Sequence, residues 1–297
     1  MPQIICTPLE YRYHGILRTA EKEFDAKLWM PEKFPIYDML DAINPDIIMI
    51  DLKYITKTII SAIQEHPSIN VVLFGMGIPQ GLRVASVVAK PSTSAVIRRN
   101  IEGDDHKTLY INDSANIVEI FSTAFSDRLT SQVMYYHIGN TETYIDEVKL
   151  FAKIGKDFHL KIAGHNKLNI PYQLGSITYG DLATMYKNSM FSVDYHTNQF
   201  LDILANGGAP LVRKPIKSVL GDACSFFDTY ESLYNIVKQG RTEGLASNIK
   251  KAQYTVLSGE TCYHRLIDIM QSLGYQDGVN LLNNRVKEYV QCVRTIS

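Results

Sequence analysis

Short apolar blocks without alternation recur along the chain, separated by stretches whose apolar residues repeat at the helical period. Residues 3–7 (QIICT), 47–51 (IIMID), 70–75 (NVVLFG), 132–139 (QVMYYHIG), 159–164 (HLKIAG) and 190–193 (MFSV) belong to the first kind. A continuous apolar run of this length reads as a strand buried on both faces, the setting of a parallel sheet. Residues 16–23, 35–42, 56–65, 140–154, 198–206, 229–238, 245–257 and 280–293 predict helices, with another over 258–274 capped by Ser258 or Thr261. Strands over 25–30 and near 225–228 extend the pattern, whereas 82–107 reads as irregular. Strand and helix alternate through both halves, so right-handed βαβ units in parallel sheets are the economical topology.

The most informative stretch is 189–212, SMFSVDYHTNQFLDILANGGAPLV. It reads as strand, polar crossing, short helix, glycine stop and strand. Phe200, Leu201, Ile203 and Leu204 share one side of the helix, and Asp202 leaves the opposite side between Asn198 and Asn206. A carboxylate so placed is either solvated or aimed into a cleft, and its removal is expected to spare the core. Gly207-Gly208 ends the helix and permits a close approach to the backbone.

This stretch resembles the C-terminal nucleotide-sugar signature of GT-B glycosyltransferases: E, seven residues, then E-A-x-A-x-G-x-P and an apolar pair. Asp194 and Asp202 keep the spacing and are followed by Ala205, Gly207 or Gly208, Pro210 and Leu211-Val212. Both acids are Asp where the family usually has Glu. Residues 179–196 (YGDLATMYKNSMFSVDYH) resemble the element before the signature, and 260–274 (ETCYHRLIDIMQSLG) the late helix of the spore-maturation-like branch. The resemblance implies an α/β chain of GT-B type, two Rossmann-like domains with parallel sheets facing a central cleft. Residues 1–128 would form the acceptor side and 129–279 the nucleotide-sugar domain. Residues 280–297 would be a C-terminal helix of the kind that crosses back to the N-terminal domain.

By the same resemblance, Asp202 accepts hydrogen bonds from the donor ribose, Asp194 addresses the donor sugar, and Gly207 and Gly208 let the donor come close. Gly139 and Asn140, at the entry to a helix whose free N–H groups favour phosphate, join the donor-side candidates with His165 and Lys167. Lys167 also reads simply as a surface lysine. Relatives often place an Arg and a Lys near that helix entry to hold the diphosphate. Asn140 and Tyr144-Ile145 stand here instead, which leaves the diphosphate contacts and the retaining or inverting outcome unassigned.

In the first half, two residues at strand ends are candidates for a catalytic base: His14, in the loop after 3–7, and Asp51, the last residue of IIMID. A surface or capping histidine is the plainer reading of His14. Arg83, Arg98 and Arg99 lie in the most basic region of this half. They read either as a solvated loop balanced by Glu102, Asp104 and Asp105 or as an acceptor-binding surface for something anionic.

The formal net charge of −1 advertises neither nucleic acid nor an anionic membrane as a global partner. Cys6, Cys224, Cys262 and Cys292 are too scattered for a metal motif and read as free thiols of a reducing compartment. No basic segment with a long apolar run opens the chain, and no window suggests a membrane span, so a cytoplasmic protein is expected. The resemblance implies a glycosyltransferase with no metal and no cofactor beyond its nucleotide-sugar co-substrate, UDP-sugar foremost. Candidate acceptors are a glycan, a small molecule or a hydroxymethylated DNA base, as in phage-type DNA-modifying relatives, and nothing sets the oligomeric state. Two other readings stay open: a nucleotide-sugar epimerase of the same fold, and a non-catalytic binding module.

Overall fold

The computed structural model describes residues 1–9, 13–74, 87–91, 107–111, 114–115, 129–137, 145–164, 174, 177–195, 199–213 and 220–296. The chain opens with β1 (Ile4–Cys6), α1 (His14–Phe24), β2 (Lys27–Leu28), α2 (Ile36–Ile43), β3 (Ile47–Asp51), α3 (Lys57–Glu65), β4 (Asn70–Phe74), β5 (Val87–Pro91) and β6 (Lys107–Ile111). These strands form a parallel sheet in the order β2-β1-β3-β4-β5-β6. All of β3 is buried, as its unbroken apolar run requires. Ile5, Ile48, Ile50, Val71 and Leu73 pack with Met39 and Leu40 of α2 and with Ile59, Ala62 and Ile63 of α3. The alternate residues turn to the other face, where Tyr13 lies against Phe74 with ring centroids 5.0 Å apart.

Two expectations for this half are corrected. The strand expected over 25–30 shrinks to β2, an exposed edge pair, because Asp25 closes α1 in the left-handed conformation at φ 55° and uses up the extended stretch. The region 82–107, expected to be irregular, contributes β5 and the first residue of β6. The short apolar run of β5 is hidden in sequence by Lys90 and the terminal Pro91.

The second sheet is built from β7 (Ser131–His137), α4 (Ile145–Ile154), β8 (Leu160–Gly164), α5 (Tyr179–Lys187), β9 (Ser189–Asp194), α6 (Phe200–Ala205), β10 (Pro210–Val212) and β11 (Ser225–Phe226), with α7 (Tyr230–Gln239) and α8 (Leu245–Gly259) after it. Its order is β11-β10-β9-β7-β8, again parallel throughout. Counted from its own first strand, each sheet runs second, first, third, fourth, fifth. One topology is therefore used twice, with no repeat in the sequence. In each sheet the winding reverses between the first and third strands, at β1/β3 and β7/β9. A crevice for ligands opens at the carboxyl ends of such a pair. Met134, Tyr136 and Ala163 pack on one face of the second sheet with Leu182 and Tyr186 of α5 and Ile203 of α6. On the other face, Tyr135 stacks on Phe151 of α4 at 4.1 Å.

The chain divides into one unit of Met1–Val118 with Gly259–Glu288 and another of Glu119–Ser258 with Tyr289–Ser297. Residues 259–279, grouped on sequence grounds with the second domain, thus return to the first unit, and the first boundary falls before 128. The return is made by α9 (Cys262–Leu273) and the start of α10 (Gln276–Ile296). Thr19 Oγ1 lies 3.1 Å from Cys262 Sγ, and a parallel bridge joins Ala115 to Thr261. Buried Glu23 accepts from Tyr263 OH and from Arg285 Nε, each at 3.0 Å. Among the described residues no helix is long and apolar enough to cross a membrane.

Candidate functional site

Both expected bases of the first unit stand at its β1/β3 switch. Asp51 ends β3 and is buried. Its Oδ1 accepts from Lys53 N at 3.1 Å, its own N–H donates to Thr7 Oγ1 at 2.9 Å, and Lys53 Nζ lies 3.9 Å from Oδ2. The carboxylate therefore caps the 3-10 turn Leu52–Tyr54 while standing at the carboxyl end of a central strand. His14 is the first residue of α1, the helix that follows β1, and is exposed.

Asp194 is the counterpart of Asp51 in the second sheet, the last residue of the third strand at the switch. It is buried, and Oδ2 accepts from Phe200 N at 2.9 Å, so it ties down the start of α6. Its negative charge, after burial itself, pushes the Cys224 thiol up to about 12, so that cysteine is neutral and no nucleophile. Asp202 follows on α6, and of its two expected placements, solvated or aimed into a cleft, the solvated one is excluded: the residue is 3% exposed, with Leu201, Ile203, Leu204 and Ala205 buried around it. The phenol of Tyr136 is raised above its ordinary range first by burial and then by the Asp202 charge, which sets Asp202 beside β7. Gln199 Nε2 donates to the Tyr136 carbonyl at 3.3 Å. The carboxylates of the resemblance are thus gathered at the carboxyl edge of β7 and β9, held inside the fold.

The glycine pair serves packing. Gly207 adopts φ 73° and donates to Leu204 O at 2.9 Å, while Gly208 donates to Ile203 O at 2.8 Å, the pair of bonds that defines a Schellman cap. A Cβ on Gly208 would meet the Tyr186 carbonyl oxygen and Ile203 Cγ2 at 2.8 Å each. The close approach these glycines permit is that of α5 to the end of α6.

A second group, unanticipated in the sequence, occupies the α4 side of the same edge. Glu147, in the first turn of α4, is buried and accepts from Tyr135 OH at 2.7 Å. Burial pushes its carboxyl up to about 7, opposed by the Tyr135 hydrogen bond and by the charge of Arg213. Tyr195, Arg213 and Phe227 directly follow β9, β10 and β11, whose registers pair Val212 with Asp194 and with Phe226. The three side chains form a row across the sheet end. Arg213 Cζ lies 4.5 Å over the Tyr195 ring, and Tyr195 contacts Phe151 and Phe227 at 6.3 and 6.2 Å. An arginine directly after a fully buried three-residue strand was the available signal. Glu147 gave none, because Tyr135 reaches it from another strand.

Gly139, Asn140, His165, Lys167, Arg83, Arg98 and Arg99 lie outside the described residues. Among the described residues, no cluster of three His, Cys, Asp or Glu side chains is placed to hold a metal ion.

Two Rossmann-like units, each with a parallel sheet and a switch-point edge, define the GT-B fold. Solved structures agree. Anabaena Alr3699/HepE in complex with UDP-glucose has a TM-score of 0.59 at 9% identity, over 93% of this chain and 100% of that one. An alpha-glucosyltransferase in complex with UDP and a 13-mer DNA containing an HMU base gives 0.56 at 14% identity, covering 95% and 100%. A Listeria monocytogenes protein provisionally assigned as a UDP-N-acetylglucosamine 2-epimerase gives 0.51 at 10%, covering 92% and 97%. At these identities the likeness establishes the fold. No protein-family model and no curated protein sequence matches the chain.

Proposed function

We propose that the protein is a glycosyltransferase that moves a sugar from a nucleotide-sugar, UDP-sugar foremost, to an acceptor hydroxyl. One observation carries the reading: Asp194 and Asp202, spaced as in the nucleotide-sugar signature, are buried together at the β7/β9 switch of a GT-B fold. A carboxylate offers about four lone-pair sites, so an acid already hydrogen-bonded inside the fold, as Asp194 is to Phe200 N, can still accept from added donors. Ribose and sugar hydroxyls are such donors. Asp202 would take the ribose and Asp194 the sugar, with Tyr136 beside them. Gly139, Asn140, His165 and Lys167, outside the described residues, are further donor-side proposals.

The first unit would present the acceptor, with Arg83, Arg98 and Arg99 proposed to meet an anionic one. If transfer inverts the anomeric carbon, Asp51 or His14 would take the acceptor proton. A glycan, a small molecule or a hydroxymethylated DNA base would each present an acceptor hydroxyl. The neighbour in complex with HMU-containing DNA keeps a modified base in consideration. A reducing, cytoplasmic setting suits the scattered thiols.

The test is a thermal-stability screen against UDP-, GDP-, ADP- and CMP-sugars, followed by assay of the stabilising donor for release of nucleotide. A ligand at a hundred times its Kd adds about 2.7 kcal/mol of stability. Asp202→Asn keeps the shape of the buried side chain and is expected to weaken that donor about tenfold by removing charge from the contact. Epimerised sugar nucleotide as the product would replace transfer with epimerisation, and binding without turnover would leave a binding module. Unchanged donor affinity in Asp202→Asn would remove the residue from the site.

A further inference from the structure

We propose that Arg213, held over the ring of Tyr195 at the carboxyl end of β10, grips the diphosphate of the bound nucleotide-sugar. The assignment rests on the nucleotide-sugar reading above and supplies the cation that reading lacks.

Three buried acids, Glu147, Asp194 and Asp202, crowd this edge of the second sheet. A diphosphate brought there adds further negative charge and needs a compensating cation close by. No arginine or lysine stands at 140, 144 or 145, at the approach to α4. Other cations of this unit are committed at the amino end of the strands. Arg241 donates to the carbonyls of Ser189 and Met190 at 2.8 and 2.9 Å, and Lys161 Nζ donates to Thr130 Oγ1 at 3.0 Å. Lys153, at the last turn of α4, lies 3.7 Å over the Tyr230 ring. Arg213 differs from all of these in place and in state. It is exposed at the carboxyl edge, one strand from the switch, and forms no salt bridge among the described residues.

The aromatic row explains why the guanidinium is ready for a ligand. Tyr195 is held between Phe151 and Phe227, and the guanidinium rests on it, so little conformational freedom is left to lose on binding. A planar guanidinium held in this way leaves its N–H edge for a bidentate contact with phosphate oxygens.

The experiment titrates UDP, GDP, ADP and CDP, with their parent nucleosides, into the wild-type protein, Arg213→Ala and Arg213→Gln. The diphosphate that binds the wild type best is expected to lose about ten- to a hundredfold in both variants. Its nucleoside is expected to change less than about twofold, and the salt dependence of diphosphate binding to flatten. Arg213→Gln keeps the stem over Tyr195, so a loss shared by both variants is not a packing effect. Equal losses for nucleoside and diphosphate, or none for either, overturn the assignment while the donor reading stands. Failure of all four diphosphates to bind the wild type overturns the donor reading and the assignment with it.

Discussion

Glu147 shows what burial does to a single residue. Its carboxyl titrates near 7 in the folded chain and near 4.5 in the unfolded one, so between those values the folded state holds the proton more tightly. Stability therefore falls as pH rises from about 4.5 to about 7 and stays reduced above that. Glu147→Gln retains an oxygen for the Tyr135 hydroxyl and carries no charge. The variant is expected to melt higher than the wild type at pH 8 and to lose this fall in a series of melting curves from pH 4 to 8. A variant that tracks the wild type across the series would mean that the carboxyl is solvated. Asp51 was legible at this scale because an acid ending an unbroken apolar run has only the strand end to occupy, whereas Asp194 was singled out by the resemblance to the nucleotide-sugar signature. Glu147 and Arg213 were not, since what singles them out is a partner from another element.

Among the elements, α6 gives the sharpest contrast between pattern and packing. The helical period correctly placed Leu201, Ile203 and Leu204 inward, yet it left Asp202 either solvated or aimed into a cleft, because a period cannot tell how many sides of a six-residue helix are covered. The glycine stop was also legible as a stop, while its reason came from α5. Gly208→Ala would drive a Cβ to 2.8 Å from the Tyr186 carbonyl oxygen and from Ile203 Cγ2, with backbone on one side and a branched side chain on the other. Destabilisation of about 1–3 kcal/mol is expected, read as a lowered melting temperature with or without nucleotide. An unchanged melting temperature accompanied by weakened nucleotide binding would instead make Gly208 a point of ligand approach. The return of α9 was hidden for a similar reason, since the resemblance implied a crossing back only for residues 280–297. Glu23 ends a predicted first helix as an ordinary polar residue, and only folding reveals Tyr263 and Arg285 as its partners.

For the whole molecule, the βα rhythm was sufficient to anticipate two parallel sheets, because strands buried on both faces and helices buried on one leave different imprints. It could not reveal that the sheets share one strand order, which depends on pairing between distant segments. That shared order puts a switch point in each unit, with Asp51 at one and Asp194 at the other. The second of these edges is the proposed nucleotide-sugar site. Hydrogen exchange with and without the stabilising nucleotide-sugar tests this most directly, since protection is read segment by segment. Slowed exchange at the carboxyl ends of β7, β9 and β10 and through α6 is the expected result. No change there, or protection confined to β3 and β4 in the first unit, would contradict it.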